Sequence, residues 1–318
     1  QEHLFLVAIQ EYLMQQLGFL LFSVLLPIFL QIGAGYALQK RFPLNTATLS
    51  KVQFYIFIPA ITFTSLYATH LEQHLLGQIL LVNLLLFVLL LVLAMVLGRK
   101  LIAPQKRRAF HNAVCLYNSG NYCIPLVQLL YQTPLAYSVQ IIIMLLQTII
   151  TSSFGILNSQ SQQQHWSRAL WEVLRMPMTL AMLAAVVLRL LEWQVWPPIW
   201  NTLDVVAKGM VPLALVTLGA QLANTRLRLM ALDIYLASLV RLVAAPLLAL
   251  LLVKLFGITG VAAQVVVICS AAPTAVNTVL LALEFGGDAE FASRSVLCST
   301  LLSALTMPLV IAGALALL

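Results

Sequence analysis

The chain has 318 residues, of which 62% are hydrophobic and only 8% are charged. A soluble domain is nearer half apolar and a quarter charged, so this composition excludes a soluble enzyme and indicates a polytopic membrane protein with the lipid bilayer as its surroundings. The net charge is +7. Its cations lie in short loops between apolar runs, where they indicate membrane topology, and no nucleic-acid partner is expected.

Residues 1–16 mix acidic and amide side chains into an apolar run, and are interpreted as an interfacial helix. Ten segments then carry the about 20 apolar residues that a membrane-spanning helix needs. These spans cover residues 17–39, 45–69, 75–98, 107–131, 135–157, 168–190, 199–222, 231–256, 260–284 and 288–318. The polar linker 158–167 divides them into a five-helix repeat over 17–157 and a second over 168–318. The predicted class is an all-α membrane protein of ten helices.

Lys and Arg residues are concentrated in alternate loops. One side of the membrane receives thirteen of them, namely Lys40, Arg41, Lys51, Arg99, Lys100, Lys106, Arg107, Arg108, Arg168, Arg175, Arg226, Arg228 and Arg294. The opposite side receives Arg189 and Lys254. The positive-inside rule therefore predicts that the thirteen are cytoplasmic and that both termini are outside, in a bacterial inner membrane.

Five spans per half require the second half to enter the membrane from the opposite face. This predicts an inverted repeat, the usual architecture of secondary transporters. Pro59 of span 2 and Pro212 of span 7 are 153 residues apart, and similar Thr/Ser strings begin at Thr148 and Thr300 in spans 5 and 10, 152 residues apart. The nearly equal offsets support two repeats. Gly33 and Gly35 of span 1 are expected to permit close helix packing.

Spans 4 and 9, which occupy equivalent positions in the two halves, carry helix-breaking residues near their middles. Gly120 and Pro125 interrupt the first, and Pro273 interrupts the second. Broken backbone at membrane depth is tolerated only inside protein or along a water-filled cavity. Two half-helix N-termini would then point to the protein centre, and their partial positive charge suits an anion. The candidate substrate-binding residues are Asn118, Gly120, Asn121, Pro125, Pro273, Thr274 and Asn277.

At these positions the chain resembles the auxin efflux carrier family, which includes plant PIN carriers and bacterial transporters of organic acids. The family's fourth span carries an Asn-x-Gly-Asn-x-x-x-Pro pattern, matched here by Asn118, Gly120, Asn121 and Pro125. Its ninth span carries a Pro followed by an Asn, matched by Pro273 and Asn277. Further similar stretches cover residues 26–36, 58–63 and 210–222, so the likeness runs from about residue 19 to the C-terminus.

The resemblance implies a fold like that of sodium/bile acid symporters. Spans 1, 2, 6 and 7 would form a scaffold, and spans 3–5 and 8–10 a mobile transport domain in which helices 4 and 9 cross. It also implies elevator-type alternating access and a homodimer formed through the scaffold. Plant PIN carriers have a long cytoplasmic loop between spans 5 and 6, whereas this chain has only the short polar linker. Auxin is therefore not the default substrate.

Three charged residues lie within the spans. Lys208 follows Asp204 by one helical turn, which favours a structural ion pair. Arg241 has no acid nearby on its own helix. It could cap carbonyl groups of a broken helix, help to hold an anion, or face lipid. Neither crossover, 118–125 or 270–277, contains a carboxylate, which weighs against obligatory sodium coupling and favours an anionic substrate.

These features indicate a secondary transporter that exports small organic anions, such as carboxylates or auxin-like acids. The alternatives are a sensor that kept a transporter fold and an anion channel. No nucleophile–base set is present, so no enzyme is expected, and no cofactor. The four cysteines form no CxxC pair and have no His partner at metal-ligand spacing, so they are interpreted as small packing residues and no metal site is expected.

Overall fold

The computed structural model describes residues 22, 26–69, 73–159, 174–224 and 231–318. The predicted interfacial segment 1–16 lies outside the described residues, as do positions 160–167 of the linker. In chain order the described helices are α1 (Leu26–Arg41), α2 (Thr46–Ala68), α3 (Gln73–Leu101), α4 (Arg107–Cys115), α5 (Cys123–Tyr131), α6 (Pro134–Ser159), α7 (Pro177–Leu190), α8 (Pro197–Ala223), α9 (Leu232–Leu255), α10 (Gly260–Ser270), α11 (Asn277–Phe285) and α12 (Ala289–Leu317).

Six helices of the described ranges are long and apolar enough to cross a membrane, namely α2, α3, α6, α8, α9 and α12. They coincide with predicted spans 2, 3, 5, 7, 8 and 10, and they confirm an integral membrane protein built from helices. The segments of predicted spans 4 and 9 each hold two short helices, α4–α5 and α10–α11. The described parts of predicted spans 1 and 6 form α1 and α7.

Local signals in the sequence account for where several helices begin. Thr133 and Asp288 precede α6 and α12, and their side-chain oxygens accept hydrogen bonds from the backbone N–H groups of Ala136 and Phe291. Helices α6, α7 and α8 each carry Pro in the first turn, where a backbone donor is not needed. The long helices α2, α6 and α9 each contain one π-helical turn, at Gln53–Phe57, Thr151–Gly155 and Val240–Ala244.

The helices pack in two groups. In the first, α1 lies against α8, and α2 lies against α7 and α8. In the second, α3 to α6 pack with α9 to α12 around a continuous apolar core. A 2.7 Å ion pair between Lys106, before α4, and Asp233, in α9, joins the two halves of the chain within the second group. The groups meet where α2 contacts α6 and where α8 contacts α5.

Helices α1 and α8 approach each other at two glycines. A Cβ atom added to Gly219 would lie 1.9 Å from the carbonyl oxygen of Ile32, and one added to Gly35 would lie 2.1 Å from that of Val216. Real Cβ atoms cannot approach so closely, so the backbones are in direct contact because both residues lack a side chain. The predicted packing role is confirmed for Gly35. It is wrong for Gly33, which has no such neighbour within 4 Å.

We expect Gly219→Ala to destabilise the protein by about 3 kcal/mol or more, because α1 and α8 must move apart to admit the new methyl group. Thermal unfolding of the purified protein in detergent measures this. Gly33→Ala is the matched control, and it should be neutral or slightly stabilising because the site is open and Ala favours helix. Equal effects of the two substitutions would contradict the close α1–α8 contact.

Candidate functional site

The site is built on the two helices that stop inside the protein. Helix α4 ends at Cys115 and α5 begins at Cys123, while α10 ends at Ser270 and α11 begins at Asn277. Pro273 lies in the second break, where its ring and missing N–H prevent α10 from continuing. Pro125 lies in the first turn of α5, where a proline is tolerated. The sequence therefore folds locally as two pairs of half-helices.

The two breaks run antiparallel to each other and exchange backbone hydrogen bonds. The N–H of Asn118 donates to the carbonyl of Pro273 at 2.9 Å, and the N–H of Ala275 donates to that of Leu116 at 2.9 Å. Tyr117 and Thr274 are paired between them as an isolated bridge. Each break thus supplies partners for backbone groups that the other leaves without a helical partner, as burial requires.

The place where the two breaks pair, around Tyr117 and Thr274, is called the crossing. Polar side chains satisfy further backbone groups there. The Thr274 hydroxyl donates to the carbonyl of Ala113 at 2.8 Å, and the N–H of Thr274 donates to the Ser299 hydroxyl at 3.0 Å. The Asn118 side chain accepts from the N–H of Asn121 at 3.1 Å, just before α5 begins. Two of the predicted site residues therefore use their side chains to hold the crossing itself.

Arg241 lies at the C-terminal ends of α4 and α10, the first half-helix of each pair. It is fully buried and donates to the carbonyls of Val114, at 2.8 Å, and of Ser270. These carbonyls belong to the last turns of α4 and α10. Of the three roles that the sequence left open, the bonds correspond to capping the carbonyl groups of broken helices.

A cavity of about 380 Å³ opens between the two helix groups, beside the crossing. The second group contributes both breaks and part of α6, and the first group contributes α2, the start of α7 and the end of α8. The lining residues are Ser50, Lys51, Phe54, Tyr55, Ile58, Tyr117, Asn118, Ser119, Gly120, Asn121, Met144, Gln147, Thr148, Thr151, Ser152, Met176, Pro177, Met178, Gln221, Ala275, Val276 and Asn277.

The structure brings part of the predicted set to this cavity. Four of the seven candidates line it: Asn118, Gly120, Asn121 and Asn277. Three are absent from its described lining: Pro125, Pro273 and Thr274. The charged candidates lie elsewhere as well. Lys208 pairs with Asp204 at 2.6 Å, which confirms the predicted ion pair, but the Lys208 side chain is 74% exposed and outside the lining.

Sequence reasoning missed Lys51, which is the one charged side chain in the described lining. The residue was counted only as a topology signal. The clue was its position six residues inside an apolar run, since a cation within a span is costly unless it serves a site. Gln221 was also missed; its Nε2 donates to the Ser50 hydroxyl at 3.3 Å, and its buried Oε1 accepts no hydrogen bond from described residues.

The electrostatics of the cavity are positive. The N-terminal ends of α5 and α11 both face it, through Gly120 and Asn121 before the first and Val276 and Asn277 at the second. A helix N-terminus carries about half a positive charge and free N–H groups. Lys51 adds a full charge, and the described lining contains no Asp or Glu. The arrangement is suited to binding an anion against amide groups.

Candidate metal ligands and thiols do not converge at this site. Among the described residues, no group of three or more His, Cys, Asp or Glu side chains is placed to hold a metal ion. Cys115, Cys123, Cys269 and Cys298 are all buried and free of disulfides, as expected for small packing residues.

Comparisons with known proteins agree with the motifs. Residues 164–311 match the model of a family described as membrane transport protein. Over 300 residues the chain is 25% identical to an uncharacterized transporter of Methanothermobacter thermautotrophicus, an alignment that covers 90% of this chain and 96% of that protein. The second half of the chain therefore matches a membrane transport family, and nearly its whole length is similar to one transporter, in agreement with the motifs that resemble auxin efflux carriers.

Proposed function

We propose that the protein is a secondary transporter that exports small organic anions by elevator-type alternating access. The observation that carries this proposal is a cavity in which two half-helix N-termini and Lys51 meet without any acidic side chain in the described lining. Half-helix N-termini directed at an anionic substrate group are a recurrent feature of secondary transporters.

The two sides of the cavity favour an amphipathic acid. The crossing presents amides from Asn118, Asn121 and Asn277, which can donate to a carboxylate. The facing wall carries aromatic and thioether side chains, including Phe54, Tyr55 and Met178, beside the cation of Lys51. A volume of about 380 Å³ suits a molecule with one small apolar body and one charged group.

The two helix groups suggest how the site could alternate. We assign the first group, α1, α2, α7 and α8, to the scaffold, and the second group, which contains both broken helices, to the moving transport domain. The cavity lies at their boundary, so a displacement of the second group would carry the amide side of the site past a fixed wall formed by α2, α7 and α8. A homodimer through the scaffold completes this assignment.

The lining is also consistent with loading from the cytoplasm. Lys51, Ser152 and Gln221 lie near the ends of their helices that the positive-inside rule assigns to the cytoplasm. An inside-negative potential favours the exit of an anion by about 2.3 kcal/mol per charge at 100 mV. Export therefore needs no coupling ion.

Flux in proteoliposomes tests the proposal directly. Vesicles loaded with benzoate, succinate or indole-3-acetate are given an inside-negative potential. We expect saturable efflux of at least one acid, with a monoanion redistributing about fiftyfold across 100 mV at equilibrium. Flux that ignores the potential would contradict anion export. Flux that does not saturate would identify a channel, and binding without flux would identify a sensor.

We expect Asn277→Asp to weaken binding of a transported carboxylate by roughly a hundredfold. The new carboxylate would repel a substrate anion about 5 Å away by about 3 kcal/mol, whereas an acidic residue in the first turn of α11 favours the helix itself. Binding is measured by thermal stabilisation with the acid. Asn201→Asp, at an exposed position of α8 outside the lining, adds the same charge and should leave binding unchanged. Equal losses would contradict an anion at the crossing.

We expect Lys51→Gln to reduce carboxylate affinity about tenfold, because it removes one charged donor from the cavity. Lys51→Arg should retain most of the affinity. Lys208→Gln removes the same charge outside the lining and serves as the control. If Lys51→Gln bound carboxylates as tightly as the parent, the substrate charge would not lie on this side of the cavity.

A further inference from the structure

The C-terminal ends of α4 and α10 converge on the side chain of Arg241. Arg241 Nη1 donates to the carbonyl of Val114 in α4, and Nη2 donates to the carbonyl of Ser270 in α10. The guanidinium also lies over the ring of Tyr117, with 4.8 Å between its carbon and the ring centre. The side chain is 0% exposed. Arg241 therefore contacts α4, α10 and the break between α4 and α5.

The charge balance of this arrangement is close to neutral. The last carbonyl groups of a helix have no partner within the helix and carry about half a negative charge together. Two such ends offer about one negative charge to the guanidinium, which cannot lose its proton in a protein. No described carboxylate side chain forms a salt bridge with Arg241. The helix ends thus take the place of an acidic partner.

Half-helix C-termini and unwound carbonyl groups are the groups that coordinate Na⁺ in secondary transporters with broken helices. In this protein the corresponding carbonyl groups are already occupied by a side chain. We infer that Arg241 is a tethered cation that holds the two broken helices together in place of a bound coupling cation. It is a positioning residue, since it lies outside the described lining of the substrate cavity.

Two consequences follow. The folded crossing needs no added cation, and, on the proposed transport function, anion flux is independent of Na⁺. Conversely, removal of the guanidinium leaves two carbonyl-lined helix ends with a cavity between them. A small cation from solution can then restore the lost charge. The variant, unlike the parent, should depend on such an ion.

Thermal unfolding of the purified protein tests this without any substrate. The parent and Arg241→Ala are each melted in choline chloride, in NaCl and in low-millimolar guanidinium chloride at equal ionic strength. We expect the parent to melt at one temperature in all three salts. Arg241→Ala should melt about 5–10 °C lower in choline, and guanidinium or Na⁺ should restore at least half of the loss.

Arg189→Ala is the matched control. Arg189 also donates to a helix-end carbonyl, that of Leu66 in α2 at 3.2 Å, but in the other helix group and only half-buried. No cation should restore its melting temperature. An Arg241→Ala loss that is the same in all three salts would overturn the inference, because Arg241 would then serve packing alone. A parent stabilised by Na⁺ over choline would also overturn it.

Arg241→Lys covers the case in which the alanine variant does not fold. Its ammonium keeps the charge but cannot bridge two carbonyl groups as a guanidinium does, so it should melt between the parent and the alanine variant, or fold where alanine fails. A lysine variant no more stable than alanine would contradict the inference. In proteoliposomes, parent flux of a carried carboxylate should be equal in Na⁺ and choline. If the parent carries no acid, the proposed function fails while the melting data still decide the role of Arg241.

Discussion

Helices α4 and α10 stop inside the protein and leave backbone N–H and C=O groups that need partners there, and the rest of the structure is organised around that constraint. The two breaks first satisfy each other's backbone groups, through the hydrogen bonds from Asn118 to Pro273 and from Ala275 to Leu116. Side chains from outside complete the set. Ser299 of α12 accepts from Thr274, and Arg241 of α9 reaches the carbonyl groups that remain. These residues are needed to satisfy backbone groups of the broken helices, whether or not a substrate is bound.

The half-helices at the crossing also direct partial charges of opposite sign to different places. In each pair, α4–α5 and α10–α11, a short non-helical segment separates the end of one half-helix from the start of the other. The N-terminal ends of α5 and α11 face the cavity, whereas the C-terminal ends of α4 and α10 face Arg241. Positive partial charge is thus directed at the cavity, and negative partial charge is neutralised in the protein interior. The proposed anion preference and the buried arginine both follow from one backbone arrangement.

The surroundings of the crossing differ on its two sides. Within the first helix group, α1 and α8 touch backbone to backbone at Gly35 and Gly219, and such a contact leaves little room for adjustment. Between the groups, α2 and α8 meet α6 and α5 around the cavity. A tightly packed unit beside a boundary that already contains the site is the arrangement on which the proposed elevator movement depends.

Local spacing in the sequence was sufficient to predict several structural features of this protein. Apolar run length indicated the membrane helices, Gly120 and Pro273 marked the breaks, and the four-residue spacing of Asp204 and Lys208 predicted their ion pair. Each of these features depends on neighbours within one helix. Only the tertiary structure decided that Lys51 lines the cavity, that Thr274 turns to the carbonyl of Ala113, and that Gly35 but not Gly33 touches α8. It also gave Arg241 its partners, 127 and 29 residues away in the chain. Which groups meet across such separations depends on how whole helices rotate and cross, and a periodic pattern along one helix carries no information about that.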